Sequence, residues 1–428
     1  MLRFAYFGTA KPITQILLMF SEYSINGYWF VLFLTLMIVF HLGLEIFLHR
    51  KRLFRIKHRI HVNGTRGKSS VARLIAAGMR GGRVRTVCKT TGTMARYIDN
   101  EGKEEPIIRI GRTNVIEQIK VVRKADKVKP DALVIECMAV QPLLQSLCEL
   151  KLVRSTHGVL CNAREDHLDV MGPTEKDVAL ALAGTMPIKG KFITPEKKYL
   201  PIFEMAAKDR GTEVVTVDAE HIEDITDEEM AQFSYLEYKE NVALALMVCQ
   251  SCGVERQDAL QGMWEATPDP GALIVKTIEY AGKQITFANG FAANDPLSTS
   301  QLWVKVIEHV KDVDEVVGLV NCRDDRGDRS RQMAEAIVNW DNNEHLLAIG
   351  SGTEIFIKSL PTHKQLNIAN GQGWKVKEIL DYLTKAEGVN HVLAIGVCNI
   401  AKIGFELLNY FCSQPAINTL ADATKEQE

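Results

Sequence analysis

A glycine-rich hexapeptide, Gly64-Thr65-Arg66-Gly67-Lys68-Ser69, is followed by Ser70 and then by apolar residues at helical spacing, Val71, Leu74, Ile75 and Met79. Before it, Ile60 and Val62 alternate with polar neighbours and end at Asn63-Gly64. A strand that enters a helix through such a turn aims backbone N–H groups and the positive helix end at one point, an arrangement suited to a phosphate. Lys68 would neutralise the outer phosphates, and Ser69 would offer an oxygen to Mg²⁺. The long phosphate-loop spelling needs a glycine where Val62 stands, so this is the shorter Gly-x-x-Gly-Lys-Ser form. The motif points to ATP or GTP and names no reaction; outside a strand–turn–helix context it would be a surface turn.

Two further groups of residues carry chemistry. Glu136 ends the apolar run "ALVIE", where a carboxylate is costly unless it meets a cation. Near a phosphate that cation would be Mg²⁺, for which carboxylate oxygen is suitable; a helix cap or a structural ion pair is the plainer alternative. Downstream, "CNAREDHLDVMGP" crowds Asn162, Glu165, Asp166, His167 and Asp169 into one loop. That density of titratable groups is what a general base or a metal ligand requires.

The elements around these residues alternate. Val84–Thr93, Asp131–Met138, Gly158–Ala163, Lys191–Pro195 and Glu213–Asp218 read as strands, with amphipathic stretches at Val115–Lys127 and Lys176–Ala183 between them. Short apolar strands separated by helices predict an α/β fold with a mostly parallel sheet. Tyr238–Cys252 reads as a helix after the acidic patch "HIEDITDEEM". "ATPDPGAL" has the Pro/Gly content of a hinge, and "ALIVKTIEYAGKQITFA" reads as a hairpin turning at Ala281-Gly282. "EVVGLVN", "HLLAIGS" and "HVLAIGV" then predict a second, smaller α/β unit. The expected organisation is residues 1–50 an N-terminal segment and anchor, 51–266 a central nucleotide-binding domain, 267–271 a hinge, 272–413 a C-terminal domain and 414–428 a tail.

The 428 residues are 46% hydrophobic and 24% charged with net charge -2, which gives no reason to expect nucleic acid. Nine cysteines without repeated spacing argue against a disulfide framework and point to a reducing compartment; Cys249 and Cys252 read as packing residues. Tyr28–Leu48 is nearly all apolar and about 32 Å long as a helix, enough to cross a bilayer. Arg50, Lys51, Arg52, Arg55, Lys57 and Arg59 follow it, whereas Arg3 and Lys11 alone precede it. The positive-inside rule therefore places the N-terminus outside and everything after residue 50 in the cytoplasm. A buried core helix is the competing reading; the basic cluster on the far side of the apolar run disfavours a signal peptide.

"GTRGKS", the strand-end Glu136, Asn162 with Asp166–Asp169, "ENVALALMVCQSCGV" and the Pro-Gly hinge occur here in the order seen in the Mur ligases and folylpolyglutamate synthetases. The chain resembles that superfamily over roughly residues 55–410. Its apolar segment, "TTGT" at Thr90–Thr93 and "NCRDDRGDR" at Asn321–Arg329 are similar to the catalytic subunits of poly-γ-glutamate synthases. By position, the resemblance implies that Gly64, Thr65, Arg66, Gly67, Lys68, Ser69 and Ser70 hold the phosphates of ATP. It further implies that Ser69 and Glu136 hold one Mg²⁺ and that His167 is a ligand of a second. Asn241 would reach the adenine, and Asn294 and Asp295 would belong to the segment that closes over the nucleotide. The lysine that many members carry, carbamylated, after the histidine is replaced by Leu182, with Lys176 or Lys189 as possible substitutes. Ala272 stands where an arginine usually follows Pro-Gly, so Arg323, Arg326 or Arg329 would supply its charge, unless "RDDRGDR" is a self-neutralising loop.

The function so implied is an ATP-dependent amide ligase, releasing ADP and phosphate, that activates a poly-γ-glutamate carboxylate as an acyl-phosphate and joins it to glutamate. Asp166, Glu165 or water would take the proton from the amine. Glutamate and its polymer would be the substrates, and the protein would be a single-pass bacterial membrane protein assembled with membrane-embedded synthase or export subunits, as a homo- or hetero-oligomer. The alternative from another class is a membrane-tethered P-loop ATPase or kinase regulating an envelope complex. The loop and anchor fit that alternative, but it leaves "EDHLD" and the closing domain without a role.

Overall fold

A computed structural model of the chain describes residues 11–92, 95–109, 111, 113–269, 273–293, 295–365 and 368–415. The chain begins with one long helix, α1 (Lys11–Arg55), whose most apolar stretch is wholly unburied: Tyr28 is 76% exposed and Phe40 70%. A soluble core helix would hide those side chains; this one presents them on all sides, as a membrane span does. Its last turns are fixed to the body of the protein. Leu53 and Ile56 are buried with Val87, Val121, Val122 and Leu133, each burial contributing roughly 1.5–3 kcal/mol. Arg52 faces Asp126 at 3.7 Å, and Arg59 turns inward to donate to the carbonyls of Ile56 (2.7 Å) and Arg154 (2.8 Å).

Two sheets follow. The first is built from β1 (His58–Asn63), β2 (Thr86–Thr90), β3 (Arg96–Ile98), β4 (Glu104–Pro106), β5 (Ala132–Glu136), β6 (His157–Leu160), β7 (Lys191–Thr194) and β8 (Glu213–Thr216), in the order β4-β3-β2-β5-β1-β6-β7-β8. All pairings are parallel except β2 with β3 and β3 with β4, which form an antiparallel edge. The helices α2 (Lys68–Gly81), Lys239–Ser251 and Arg256–Trp264 cover one face. On the other, α3 (Glu117–Ala125) packs through Val121 and Val122, and Glu175–Ala183 and Leu200–Arg210 bury Leu182 and Phe203 against Leu160 and Phe192. With helices on both faces β5 is buried throughout, which is why "ALVI" runs apolar without alternation, and in β1 the polar His61 and Asn63 are buried beside Ile60 and Val62.

The second sheet has β9 (Val275–Tyr280), β10 (Lys283–Asn289), β11 (Glu315–Cys322), β12 (His345–Gly350), β13 (Ile368–Gln372) and β14 (His391–Val397), ordered β13-β12-β11-β14-β10-β9. β9 and β10 form the predicted antiparallel hairpin, with Ala281 and Gly282 at φ 51° and 75° in the turn. The remaining pairs are parallel. The fold is thus the expected α/β arrangement with two mostly parallel sheets. The acidic stretch read as a surface patch contains two short helices, Ala219–Glu223 and Asp227–Ala231. Of the hinge, Thr267, Pro268 and Asp269 are described, whereas Pro270, Gly271 and Ala272 lie outside the described residues.

Candidate functional site

β1 delivers the chain at Asn63 into a loop that glycine alone could form as tightly. Gly64 has φ +137°, and a Cβ there would press on the Cys161 and Asn162 backbone at 3.1 Å. Gly67, at φ +80°, is the residue before the first turn of α2. Asn162, just beyond β6, braces the loop through both ends of its amide. Its Oδ1 accepts from Thr65 Oγ1 (2.6 Å) and Arg66 N (3.0 Å), and its Nδ2 donates to Arg66 O (3.1 Å). The Lys68 ammonium folds back over the loop and donates to the carbonyls of Gly64 (2.6 Å) and Thr65 (3.1 Å). A cation and a helix N-terminus thereby converge on one concavity, an anion site by geometry.

Ser69 and Glu136 meet. The Ser69 hydroxyl donates to Glu136 Oε2 at 2.9 Å, and the Thr91 amide donates to the same oxygen at 2.5 Å. Glu136 is 2% exposed, so its carboxylate is held at a buried strand end by two donors. Gly92, just beyond β2, lets the chain pass so close to α2 that a Cβ there would collide with Ser69 Oγ.

One cavity of about 530 Å³ gathers Lys68, Gly64, Glu136, Asp166, His167 and Arg326. Asp166 faces Arg66 at 3.6 Å and the His167 ring at 3.9 Å, and His167 sits at φ +48° at the start of a single helical turn. Glu165 is exposed and is not part of the cavity lining. Asn241 lies beside the loop, its Oδ1 3.1 Å from where a Gly67 Cβ would stand, and its amide donates to the buried Glu237 at 2.8 Å. Asp295 pairs with Arg66 at 2.8 Å and caps the helix Pro296–His309. Asn294 lies outside the described residues.

Of the arginines in "RDDRGDR", Arg326 lines the cavity. Arg323 forms a fork with Asp325 at 2.7 and 2.9 Å, and Arg329 donates to Asn399 at 2.7 Å. Leu182 lines the cavity too, whereas Lys176 and Lys189 are exposed and do not. The sequence reading passed over Lys89, Arg109, Glu117 and Arg73. Lys89 carried a signal, being a lysine within an apolar strand; it is fully buried and meets Glu117 at 2.9 Å. Arg73, 2% exposed on α2, joins Glu104, Asp269 and the Thr267 carbonyl, which ties the loop's helix to the start of the predicted hinge.

Comparison with known proteins bears on this arrangement. Residues 62–249 match the Mur ligase middle domain, and residues 275–414 match the poly-gamma-glutamate synthase CapB C-terminal domain. The chain is 39% identical over 339 residues to the capsule biosynthesis protein CapB of Bacillus anthracis, covering 78% of this chain and 72% of that protein. It is 38% identical over 313 residues to the PGA synthase CapB of Bacillus subtilis (strain 168), covering 73% and 79%. Among solved structures, E. coli FolC in complex with ADP matches with a TM-score of 0.63 at 14% identity, over 89% of this chain and 94% of that one. The bifunctional folylpolyglutamate synthase/dihydrofolate synthase of Yersinia pestis, complexed with AMPPNP and Mn ion, matches with a TM-score of 0.64 at 12% identity, over 86% and 92%. At those identities the structural likeness is one of fold.

Proposed function

From a chain that belongs to the CapB family of poly-γ-glutamate synthases, built around a Mur ligase middle domain, we propose the following reaction. The protein, an ATP-dependent ligase, phosphorylates the γ-carboxylate at the end of a poly-γ-glutamate chain and joins the acyl-phosphate to the amine of glutamate. The observation that carries this reading is the convergence, on one cavity, of the loop with Lys68, the Glu136 carboxylate, Asp166 and His167, and Arg326 from the second domain.

A carboxylate does not condense with an amine in neutral water; phosphorylation gives it a leaving group. The carboxylate oxygen attacks the γ-phosphorus and ADP leaves. Lys68, the loop amides and Arg326 stabilise the charge that spreads over the transferring phosphoryl group. The amine then attacks the acyl carbon, phosphate departs, and Asp166 takes the ammonium proton. Glu165, pointing to solvent, is not assigned that role. Approach of the second domain, with Asp295 on Arg66, excludes water that would hydrolyse the acyl-phosphate.

The donor set fits a hard divalent cation such as Mg²⁺, because the Ser69 hydroxyl and Glu136 carboxylate already bring two oxygens together at 2.9 Å. His167 is the ligand assigned to a second ion. When bound, these ions supply charge neutralisation at the phosphates. The exposed apolar residues of α1 support a membrane span, and the basic residues after it support a cytoplasmic catalytic domain; membrane-embedded export subunits are the partners we propose for it.

The test follows ADP and polymer in membranes given ATP, Mg²⁺ and radiolabelled glutamate, with hydroxylamine added in parallel to trap an acyl-phosphate. Glutamate-dependent ADP release and a hydroxamate, both lost in Lys68→Ala, are expected. ADP release indifferent to glutamate would overturn the ligase reading in favour of an ATPase, and AMP release would overturn the acyl-phosphate route.

A further inference from the structure

The cavity has a second cationic wall that comes from outside the phosphate loop. Arg109 and Thr113, from the segment between β4 and α3, line it together with Met138, Ala139, Met171 and Leu182. Arg109 donates through Nε and Nη2 to the two oxygens of Glu117, at 2.7 and 3.1 Å. That fork engages two of the five guanidinium N–H donors. The same carboxylate meets the ammonium of Lys89 at 2.9 Å, and Lys89 is 0% exposed. Lys89 also reaches the Met138 thioether at 3.3 Å, a weak acceptor that does not repay the burial of an ammonium.

Two cations therefore share one carboxylate at the cavity wall. A structural ion pair needs only one of them, since a bidentate arginine is already a full partner for Glu117. Burial alone would raise the Glu117 carboxyl, yet the hydrogen bond from Arg109 and the charge of Lys89 together hold it below its ordinary value. Glu117 is thus a carboxylate shared by two cations; burial works against the Lys89 charge, Glu117 and Glu136 support it, and Arg109 is the cation of the trio that lines the cavity. The adjoining lining is apolar, suited to methylene groups.

We propose that Arg109, backed by Glu117 and Lys89, is a subsite for a substrate carboxylate that does not react. In a γ-glutamyl substrate this is the α-carboxylate, which lies a few methylenes from the γ-carboxylate to be activated. The incoming glutamate carries the same group beside its amine. A planar, bidentate donor matches a carboxylate, and the apolar residues Met138, Ala139, Met171 and Leu182 that line the same cavity match the methylenes of a glutamyl side chain. The inference rests on the ligase reading above and adds what selects the substrate.

The experiment compares each carboxylate substrate with its α-carboxamide, using the full chain and following ADP. Isoglutamine replaces glutamate as amine in one arm; an oligo-γ-glutamate ending in an α-carboxamide replaces the oligomer in the other. In the wild type, kcat/KM for the amide should fall about ten- to a hundredfold in the arm that uses the subsite, the size of a charged hydrogen bond. Arg109→Gln should lower kcat/KM for the carboxylate by a similar factor and change the amide far less, so the discrimination collapses, while the KM for ATP stays within about twofold. Lys89→Met, which fills the buried slot, should shift the same ratio, and Arg109→Lys should restore part of it. The arm that collapses tells whether donor or acceptor is read. Equal losses for carboxylate and amide, or unchanged discrimination, overturn the subsite and leave the ligase standing. A wild type without glutamate-dependent ADP release overturns the ligase reading and the subsite with it.

Discussion

Arg66 of the phosphate loop and Asp295 of the second domain form an ion pair, Nε to Oδ2 2.8 Å, while the other oxygen of Asp295 accepts from Ser298 N at 2.9 Å. One carboxylate thus caps the helix Pro296–His309 and touches the loop from beyond the predicted hinge. Arg66 also faces Asp166 at 3.6 Å, so the cation sits between the carboxylate proposed as base and the carboxylate that caps Pro296–His309.

The two jobs of Asp295 separate by substitution. Asparagine caps a helix about as well as aspartate, so Asp295→Asn should leave stability to urea within about 0.5 kcal/mol, whereas Asp295→Ala should cost about 1 kcal/mol. Both lose the charge on Arg66. Turnover should fall about two- to fivefold in each, the range that a partly exposed ion pair permits. Full activity in Asp295→Asn would remove the pair from the closing step.

Asn162 makes no proposed contact with substrate, yet it holds three groups of the loop. Asn162→Ala should raise the KM for ATP by roughly tenfold, the order expected when one or two such bonds are lost, with a smaller effect on kcat. The check is a pair of ATP titrations at saturating glutamate. An equal loss in kcat and none in KM would mean that the loop keeps its shape without the brace.

What the sequence made readable follows from where each signal is stored. Glu136 stood out because a carboxylate ending a buried strand contradicts its surroundings, and the loop stood out because its glycines are demanded by backbone angles rather than by tertiary contacts. The strands β5, β6 and β7 were readable as apolar runs. β3 and β4 were not, since "RYI" and "EEP" become strands only by pairing with the edge at β2. Arg109 was invisible for a similar reason. It comes from coil, and its place in the cavity is set by Glu117 and, through it, by Lys89, partners its own neighbourhood does not encode. Nor does sequence tell Arg326 from Arg323, three residues apart; only the fold sends one to the cavity and the other to Asp325.

Ser69 and Glu136 should act as a unit on the metal. Glu136→Gln keeps the shape and an acceptor but removes the charge, so the Mg²⁺ concentration for half-maximal rate should rise roughly tenfold or more. Ser69→Ala should shift it in the same direction by less. The double variant should fall short of the sum of the two, because the residues share one interaction. Additive effects in that cycle would mean that they serve separate functions.

Two buried histidines set opposite limbs of the stability–pH profile. His61 is fully buried with its Nδ1 2.9 Å from Glu149. Burial works against its charge, but its interactions with Cys137 and Glu149 prevail and the ring is pushed up to about 9. The native state then binds a proton that the unfolded chain has released, so this contribution is complete below about pH 6.5 and is lost as pH rises toward 9. His157 is the reverse case: burial, aided by His58, Lys191 and Arg59, lowers it to about 4. Between pH 4 and 6.5 the unfolded chain takes up a proton there that the native state refuses, so stability rises with pH over that window. The urea midpoint of the full chain should therefore peak near pH 6.5. His157→Gln should flatten the acid limb alone, and Glu149→Gln, which removes the partner of His61, should lower the peak and flatten the alkaline limb. A profile that His157→Gln leaves unchanged would show that the imidazole is as free to charge in the folded protein as in the unfolded one.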